Sequence, residues 1–148
     1  FSKATNTDKN FTSTRKQESN AISEYTAKPD GYLYEPNASI LKAGAFRSIA
    51  MAFQLKKLHS NSHLYVSDKL IDGFPGRRFH INGVSSPNKK ELSGLLGGIK
   101  NANLSIRNFP STTAELSKKL NVKDGGDIYL FATTLADERK VIIHCEKC

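Results

Sequence analysis

The residues best suited to chemistry lie in the stretch Gly73–Ile81, which reads Gly-Phe-Pro-Gly-Arg-Arg-Phe-His-Ile. A proline between two glycines predicts a turn, and the residues that follow predict an extended segment. Arg77 and Arg78 lie between Phe74 and Phe79, so permanently charged side chains that match phosphate would stand beside rings on which a base could stack. The alternative is a strand entrance with a solvated outer face, because the apolar residues alternate as in a core-facing strand.

Positive charge is concentrated between residues 42 and 90. The chain of 148 residues has a net charge of +8, and this segment holds nine basic residues but only two acidic ones. Such a concentration favours a phosphate-bearing or otherwise acidic partner, although a solvated face fits equally well. The candidate nucleic-acid-binding residues are Lys42, Lys56, Lys57, Arg77, Arg78, Lys89, Lys90 and Arg107, interleaved with Tyr65, Phe74 and Phe79. Contacts from these residues would recognise the backbone and shape of a nucleic acid rather than its base sequence.

Patterns for catalysis or metal binding are weak. The glycine-rich stretch 94–98 falls within and at the end of a predicted helix, so it cannot hold a phosphate as a dinucleotide-binding loop does. Cys145 and Cys148 supply half of a zinc site, and His59 and His63 lack a carboxylate between them. We therefore expect no catalytic residue, metal or cofactor site here. Cys145 is expected to pack as a small apolar residue and Cys148 to lie at a frayed end, reduced in an intracellular setting.

The first 30 residues are polar and begin with Phe1 rather than methionine. We interpret residues 1–30 as a linker or as the tail of a preceding domain, and the chain as an excised piece of a longer protein. Apolar residues at helical spacing between 41 and 53 then predict a helix with one buried face, which runs out into Lys56 and Lys57. No apolar run is long enough to span a membrane.

From Phe79 onward the pattern predicts strand, helix, strand, helix, strand, strand. Thr112 and Glu115 form a capping box for the second helix, and Asn82-Gly83 predicts a turn after the first strand. The final β-rich runs, 128–135 and 139–145, predict an antiparallel hairpin. Elements in this order predict an α+β fold, in which the helices pack mainly on one face of a sheet.

Five separated motifs in this order resemble the THUMP-like domain appended to bacterial class I S-adenosylmethionine-dependent methyltransferases. The resemblance covers residues 31–146. The motifs are Tyr32-Leu-Tyr-Glu-Pro-Asn with Leu41-Lys-Ala-Gly-Ala, Leu55-Lys-Lys-Leu-His-Ser-Asn-Ser-His-Leu-Tyr, Phe74-Pro-Gly-Arg-Arg-Phe, Arg107-Asn-Phe-Pro, and Asp124-Gly-Gly-Asp-Ile-Tyr-Leu-Phe-Ala-Thr-Thr.

The resemblance implies a ferredoxin-like, THUMP-like α+β sandwich over residues 31–148, preceded by a helix and a polar tail. It implies RNA as a partner and a class I methyltransferase domain upstream in the same cytoplasmic protein, with S-adenosylmethionine bound there and no cofactor here. The chain would then be an accessory domain that positions RNA. The alternative is a structural module that packs on the catalytic domain or mediates dimerisation. Clustering of Arg77, Arg78, Arg107 and the lysines on one open face would favour the first, and an exposed apolar patch the second.

Overall fold

The computed structural model describes residues 24–148, whose strands form one eight-stranded sheet. The strands are β1 (Glu24–Tyr25), β2 (Tyr32–Pro36), β3 (Lys56–Lys57), β4 (Tyr65–Ser67), β5 (Gly76–Ser85), β6 (Asn103–Arg107), β7 (Ile128–Thr134) and β8 (Lys140–Lys147). The helices are α1 (Ala38–Lys42), α2 (Phe46–Ala52), α3 (Lys89–Leu96) and α4 (Thr113–Leu120). The strand order is β1-β3-β4-β2-β5-β8-β7-β6, with parallel pairing only at β1/β3 and β6/β7. The expected α+β class is confirmed. Most of the predicted tail, residues 1–23, lies outside the described part.

The second half of the chain follows the predicted order of strand, helix, strand, helix, strand, strand. Helix α3 begins after Asn88, whose side chain accepts a hydrogen bond from the N–H of Lys90. Helix α4 begins with the predicted capping box of Thr112 and Glu115. Leucines from both helices pack on one face of β7 and β8, and this apolar contact holds α3 and α4 against the sheet. The hairpin predicted near the C-terminus is the β7/β8 pair.

Helices α1 and α2 cover the same face of the sheet at strands β2 and β4. There Tyr34 of β2 and Tyr65 of β4 pack against Ile40 and Ile49. The single helix predicted in this region is wrong. The chain turns between α1 and α2 at Gly44, which has a φ of +69° that favours glycine. The predicted run of that helix into Lys56 and Lys57 is also wrong, because both residues lie in strand β3.

The opposite face of the sheet is lined by a separate apolar cluster that includes Leu33, Phe79, Phe131, Ile143 and Cys145. Three of them, Leu33, Phe131 and Ile143, alternate along their strands with Tyr34, Leu130 and Ile142, which belong to the clusters that contain the helices. The helices therefore lie on the other face, as predicted. The prediction that Cys145 packs as a small apolar residue is confirmed, and its burial raises the pKa of the thiol.

The sheet curls so that strands far apart in its order touch. Ser62, between β3 and β4, donates a hydrogen bond to the carbonyl oxygen of Thr134 on β7 at 2.8 Å. Thr133 donates to the hydroxyl of Ser62 at 2.9 Å. Strands β2, β5 and β8 lie between these two places in the sheet. The face without helices is therefore concave, and we call it the concave face.

Strand β5 continues through the dipeptide Asn82-Gly83, for which a turn was predicted. That prediction is wrong, because β5 pairs with β8 on both sides of this dipeptide. The register of the pairing shifts at a bulge between Ile81 and Gly83. An ideal Cβ at Gly83 would lie 2.6 Å from Cδ1 of Leu95, near helix α3. Because Cδ1 is the end of a flexible side chain that can move, the glycine is better explained by the bulge than by this contact.

The half-buried His63 makes the stability of the fold depend on pH. His63 stacks on Phe46 with 3.9 Å between ring centroids, and burial together with the ammonium of Lys57 lowers the pKa of His63 from 6.5 to about 4. Between these pH values the unfolded chain binds a proton that the folded chain does not. We therefore expect stability to fall by about 1 kcal/mol as the pH drops from 6.5 to 4.

Urea titrations across that pH range would measure this loss. The variant His63→Asn should show a flatter profile, because asparagine does not titrate and accepts the left-handed φ of +53° at this position. Burial also lowers the pKa of His144, so the variant should keep some pH dependence. An equally steep profile in wild type and variant would contradict the assignment to His63.

Candidate nucleic-acid interface

Two arginines on the concave face share one buried carboxylate. Arg77 of β5 lies opposite Glu35 of β2 in the strand register, and its Nε donates to Oε1 of Glu35 at 2.8 Å. The second carboxylate oxygen accepts a hydrogen bond from Arg107, at the end of β6 on the far side of the curled sheet. The Glu35 side chain is 8% exposed, whereas those of Arg77 and Arg107 are 38% and 35% exposed. The group, which we call the arginine pair, carries a net positive charge and partly faces solvent.

Aromatic rings support the Arg77 guanidinium. Its Cζ lies 5.3 Å from the ring centroid of Phe79 and 5.6 Å from that of Tyr129, distances typical of cation–π contacts. Arg107 is held by a further hydrogen bond from its guanidinium to the carbonyl oxygen of Ile106 at 2.9 Å. Because both guanidiniums are fixed, they lose little side-chain freedom on binding an anion such as phosphate.

Arg78 does not join the arginine pair. Adjacent residues of a strand point to opposite faces, and Arg78 instead donates to the carbonyl oxygen of Ile71 at 3.1 Å and to the carboxylate of Asp72 at 3.3 Å. Arg77, Arg78 and Arg107, whose clustering on one open face would favour RNA binding, therefore do not all share a face. Arg107 rather than Arg78 lies beside Arg77.

The predicted lysines are spread over the molecule. Lys57 is buried, with Nζ donating to the carbonyl oxygen of Ser60 at 2.8 Å and lying 5.1 Å from the ring centroid of Phe46. Its ammonium is thus held inside the protein, away from any phosphate in solvent. Lys42, Lys56 and Lys90 are exposed on α1, β3 and α3, and the Lys89 side chain lies outside the described part.

The predicted stacking platform is not present. Tyr65, Phe74 and Phe79 are all buried, and Phe74 packs edge-on against Tyr34 with centroids 5.1 Å apart. A base could not reach these rings without opening the core, because each belongs to one of the apolar clusters. Of the two rings beside Arg77, Phe79 is buried and Tyr129 is half-buried.

Sequence reasoning missed Glu35, although a signal existed. Glu35 is the charged residue within the otherwise apolar strand β2, and a charge buried in a strand requires a partner. Sequence reasoning also missed a polar cluster around His59, which contacts Glu138 at 2.8 Å and Asn108 at 3.2 Å. Nothing in the sequence joins those three residues, because three different loops supply them.

Residues 24–148 contain neither a metal centre nor a membrane-spanning helix. Over this range, no three residues among the His, Cys, Asp and Glu side chains are placed to hold a metal ion. None of the helices described is both long and apolar enough to cross a bilayer. The chemistry that the arginine pair supports is binding of an anion rather than catalysis.

Comparison with known proteins gives two family matches and one structural relative. Residues 32–75 match a ferredoxin-like domain, and residues 76–147 match a family described as THUMP domain-like. The crystal structure of a proposed methyltransferase from Porphyromonas gingivalis W83 superposes with a TM-score of 0.86 and 38% sequence identity over 93% of this chain. The chain spans 34% of the length of that protein. No curated protein matches the chain.

Proposed function

This chain consists, over residues 32–147, of a ferredoxin-like domain and a THUMP-like domain, and on that premise we propose that it is the RNA-binding accessory part of a methyltransferase. The similarity to a proposed methyltransferase three times as long supports an accessory role. S-adenosylmethionine belongs, in this proposal, to an upstream catalytic domain. The described residues do not fit it, because their glycine-rich stretch ends helix α3 instead of joining a strand to a helix.

The observation that carries the proposal is the arginine pair. Two guanidiniums that share one carboxylate keep a surplus positive charge, and each has N–H groups left over for a second acceptor. Phosphate oxygens match that geometry, and RNA presents a phosphate at every nucleotide. The net charge of +8 adds a long-range attraction that is independent of sequence.

A second candidate function is a structural module that packs on the catalytic domain or mediates dimerisation. The side chain of Met51 is 57% exposed, and with Leu55 and Glu24 it lines a cavity of about 440 Å³ beside strand β1. Among residues 24–148, the other large apolar side chains that are exposed are Tyr25, Leu70 and Val84. Isolated apolar residues are common on protein surfaces, so this evidence is weaker than the arginine pair.

The two neighbouring arginines of β5 allow a matched test. The affinity for a fluorescent RNA hairpin would be measured by anisotropy at several salt concentrations. We expect Arg77→Ala to weaken binding and to reduce the slope of log K against log salt by about one, because one phosphate contact is lost. Arg78→Ala removes the same charge from the opposite face and should leave the affinity and the slope unchanged.

Folding of each variant would be checked by circular dichroism and thermal unfolding. The variant Arg77→Lys keeps the charge but loses the two-pronged hydrogen bonding to Glu35, so its slope should stay near that of wild type while its affinity falls. Equal losses in Arg77→Ala and Arg78→Ala would argue against the concave face as the binding surface. No binding by folded wild-type protein at low salt would overturn RNA binding and favour the packing module.

A further inference from the structure

A polar pocket opens one residue away from the arginine pair. Its volume is about 550 Å³, within the range of small-molecule sites. Three loops form it: the β3–β4 loop supplies His59 and Asn61, the β6–α4 loop supplies Asn108, and the β7–β8 turn supplies Glu138. We call it the loop pocket. Asn108 directly follows Arg107 in the chain, so the loop pocket begins next to the arginine pair.

His59 holds the loop pocket together. Its Nδ1 accepts hydrogen bonds from the backbone N–H of Asn61 at 3.0 Å and from the side-chain amide of Asn108 at 3.2 Å. The proton of the neutral ring therefore lies on Nε2, which donates to Glu138 at 2.8 Å. The His59 ring thus links the three loops through hydrogen bonds.

The backbone at the loop pocket takes a left-handed conformation at two non-glycine residues, one that asparagine adopts readily and glutamate does not. Asn108 has a φ of +61° and Glu138 a φ of +69°, both in the left-handed region. Glycine would adopt the conformation at Glu138 without strain, as it usually does in hairpin turns of this kind. The chain instead places there a carboxylate that lines the pocket. Backbone strain of this type concentrates at binding sites.

We propose that the loop pocket receives one unpaired nucleobase of the bound RNA, with the phosphate of that nucleotide on Arg107. This inference rests on the proposed function. The amides of Asn61 and Asn108 and the ammonium of Lys140 offer donors, and the carboxylate of Glu138 offers an acceptor. A base edge presents both kinds of group, whereas a phosphate alone would be repelled by Glu138. A base must leave its stack to enter such a pocket, so the ligand is single-stranded at that point.

The test compares a short single-stranded RNA with a blunt duplex of the same sequence and length, by fluorescence anisotropy at fixed salt. We expect wild type to prefer the single strand about tenfold, the value of one base held by hydrogen bonds. Asn61→Ala should remove most of that preference without changing the salt dependence, because the lost amide is uncharged. Its backbone N–H, which donates to His59, remains.

Two further variants complete the experiment. Lys140→Ala removes an exposed charge from the loop pocket and should weaken single-strand binding, whereas Lys118→Ala removes an exposed charge from helix α4 and should not. Equal binding of single strand and duplex by wild type, or an Asn61→Ala that binds as wild type does, would overturn the loop pocket as a base site while leaving RNA binding intact. Failure to bind either RNA would overturn the proposed function itself.

Discussion

Replacing Glu35 by alanine is expected to lower the free energy of unfolding by about 3 kcal/mol. Its carboxylate is 8% exposed and accepts hydrogen bonds from both Arg77 and Arg107. With alanine at this position, the two guanidiniums face each other without the carboxylate that neutralises part of their charge. The hydrogen bonds that connect β2 and β5 to β6 across the curled sheet are also lost. The loss stays at the lower end of the range for buried pairs, because both guanidiniums are partly solvated. Urea unfolding followed by circular dichroism would measure it.

Asp72→Ala is the matched control for Glu35→Ala. Asp72 also pairs with an arginine, Arg78, but its side chain is fully exposed and the two groups are 3.3 Å apart. A surface pair of this kind contributes little, so we expect a change of less than about 0.5 kcal/mol. Similar losses in the two variants would mean that burial of Glu35 does not determine its contribution. Glu35→Gln should lie between them, because the amide keeps an acceptor but loses the charge.

The substitution Gly76→Ala is expected to destabilise the fold by about 3 kcal/mol or to prevent folding. An ideal Cβ at Gly76 would lie 2.1 Å from the carbonyl oxygen of Glu35 and 2.8 Å from Cα of Pro36. Both contacts are with backbone atoms of β2, which pairs with β5 at this point, so no flexible side chain can move to make room. The strands must separate locally. Thermal unfolding would show this as a large drop in Tm.

Gly94→Ala is the matched control for Gly76→Ala, and we expect it to raise stability rather than lower it. Gly94 lies inside helix α3, its side is exposed, and a Cβ there would meet no atom within 4 Å. Alanine should therefore raise stability by about 0.5–1 kcal/mol, the difference in helix propensity. If Gly76→Ala were tolerated as well as Gly94→Ala, the close pairing of β2 and β5 at Gly76 would be wrong.

The order of elements was predictable because each local signal acts over a few residues. The capping box at Thr112 and the closing hairpin depend on neighbours in sequence, and the structure confirms both. The predictions that failed had ambiguous local signals. Asn82-Gly83 usually marks a turn, but here it lies at a bulge within the continuous strand β5.

The candidate site was predictable only in part. Arg77 and Arg107 were both named from sequence, but their meeting depends on the curl of the sheet, which no local pattern encodes. The separation of Arg77 from Arg78 could have been foreseen, because the side-chain period of a strand is two. Burial of Lys57 had no such signal: its ammonium is satisfied by Ser60 and by two rings that come from other elements.

The curl of the sheet also bears on how the chain folds. The ferredoxin-like and THUMP-like matches meet at residues 75 and 76, yet β2 from the first pairs with β5 from the second, and Ser62 contacts Thr134 across 72 residues of sequence. Closing loops of that length costs entropy before the contacts form. The two segments therefore depend on each other to complete one sheet, and they should gain and lose their structure together in a single cooperative transition.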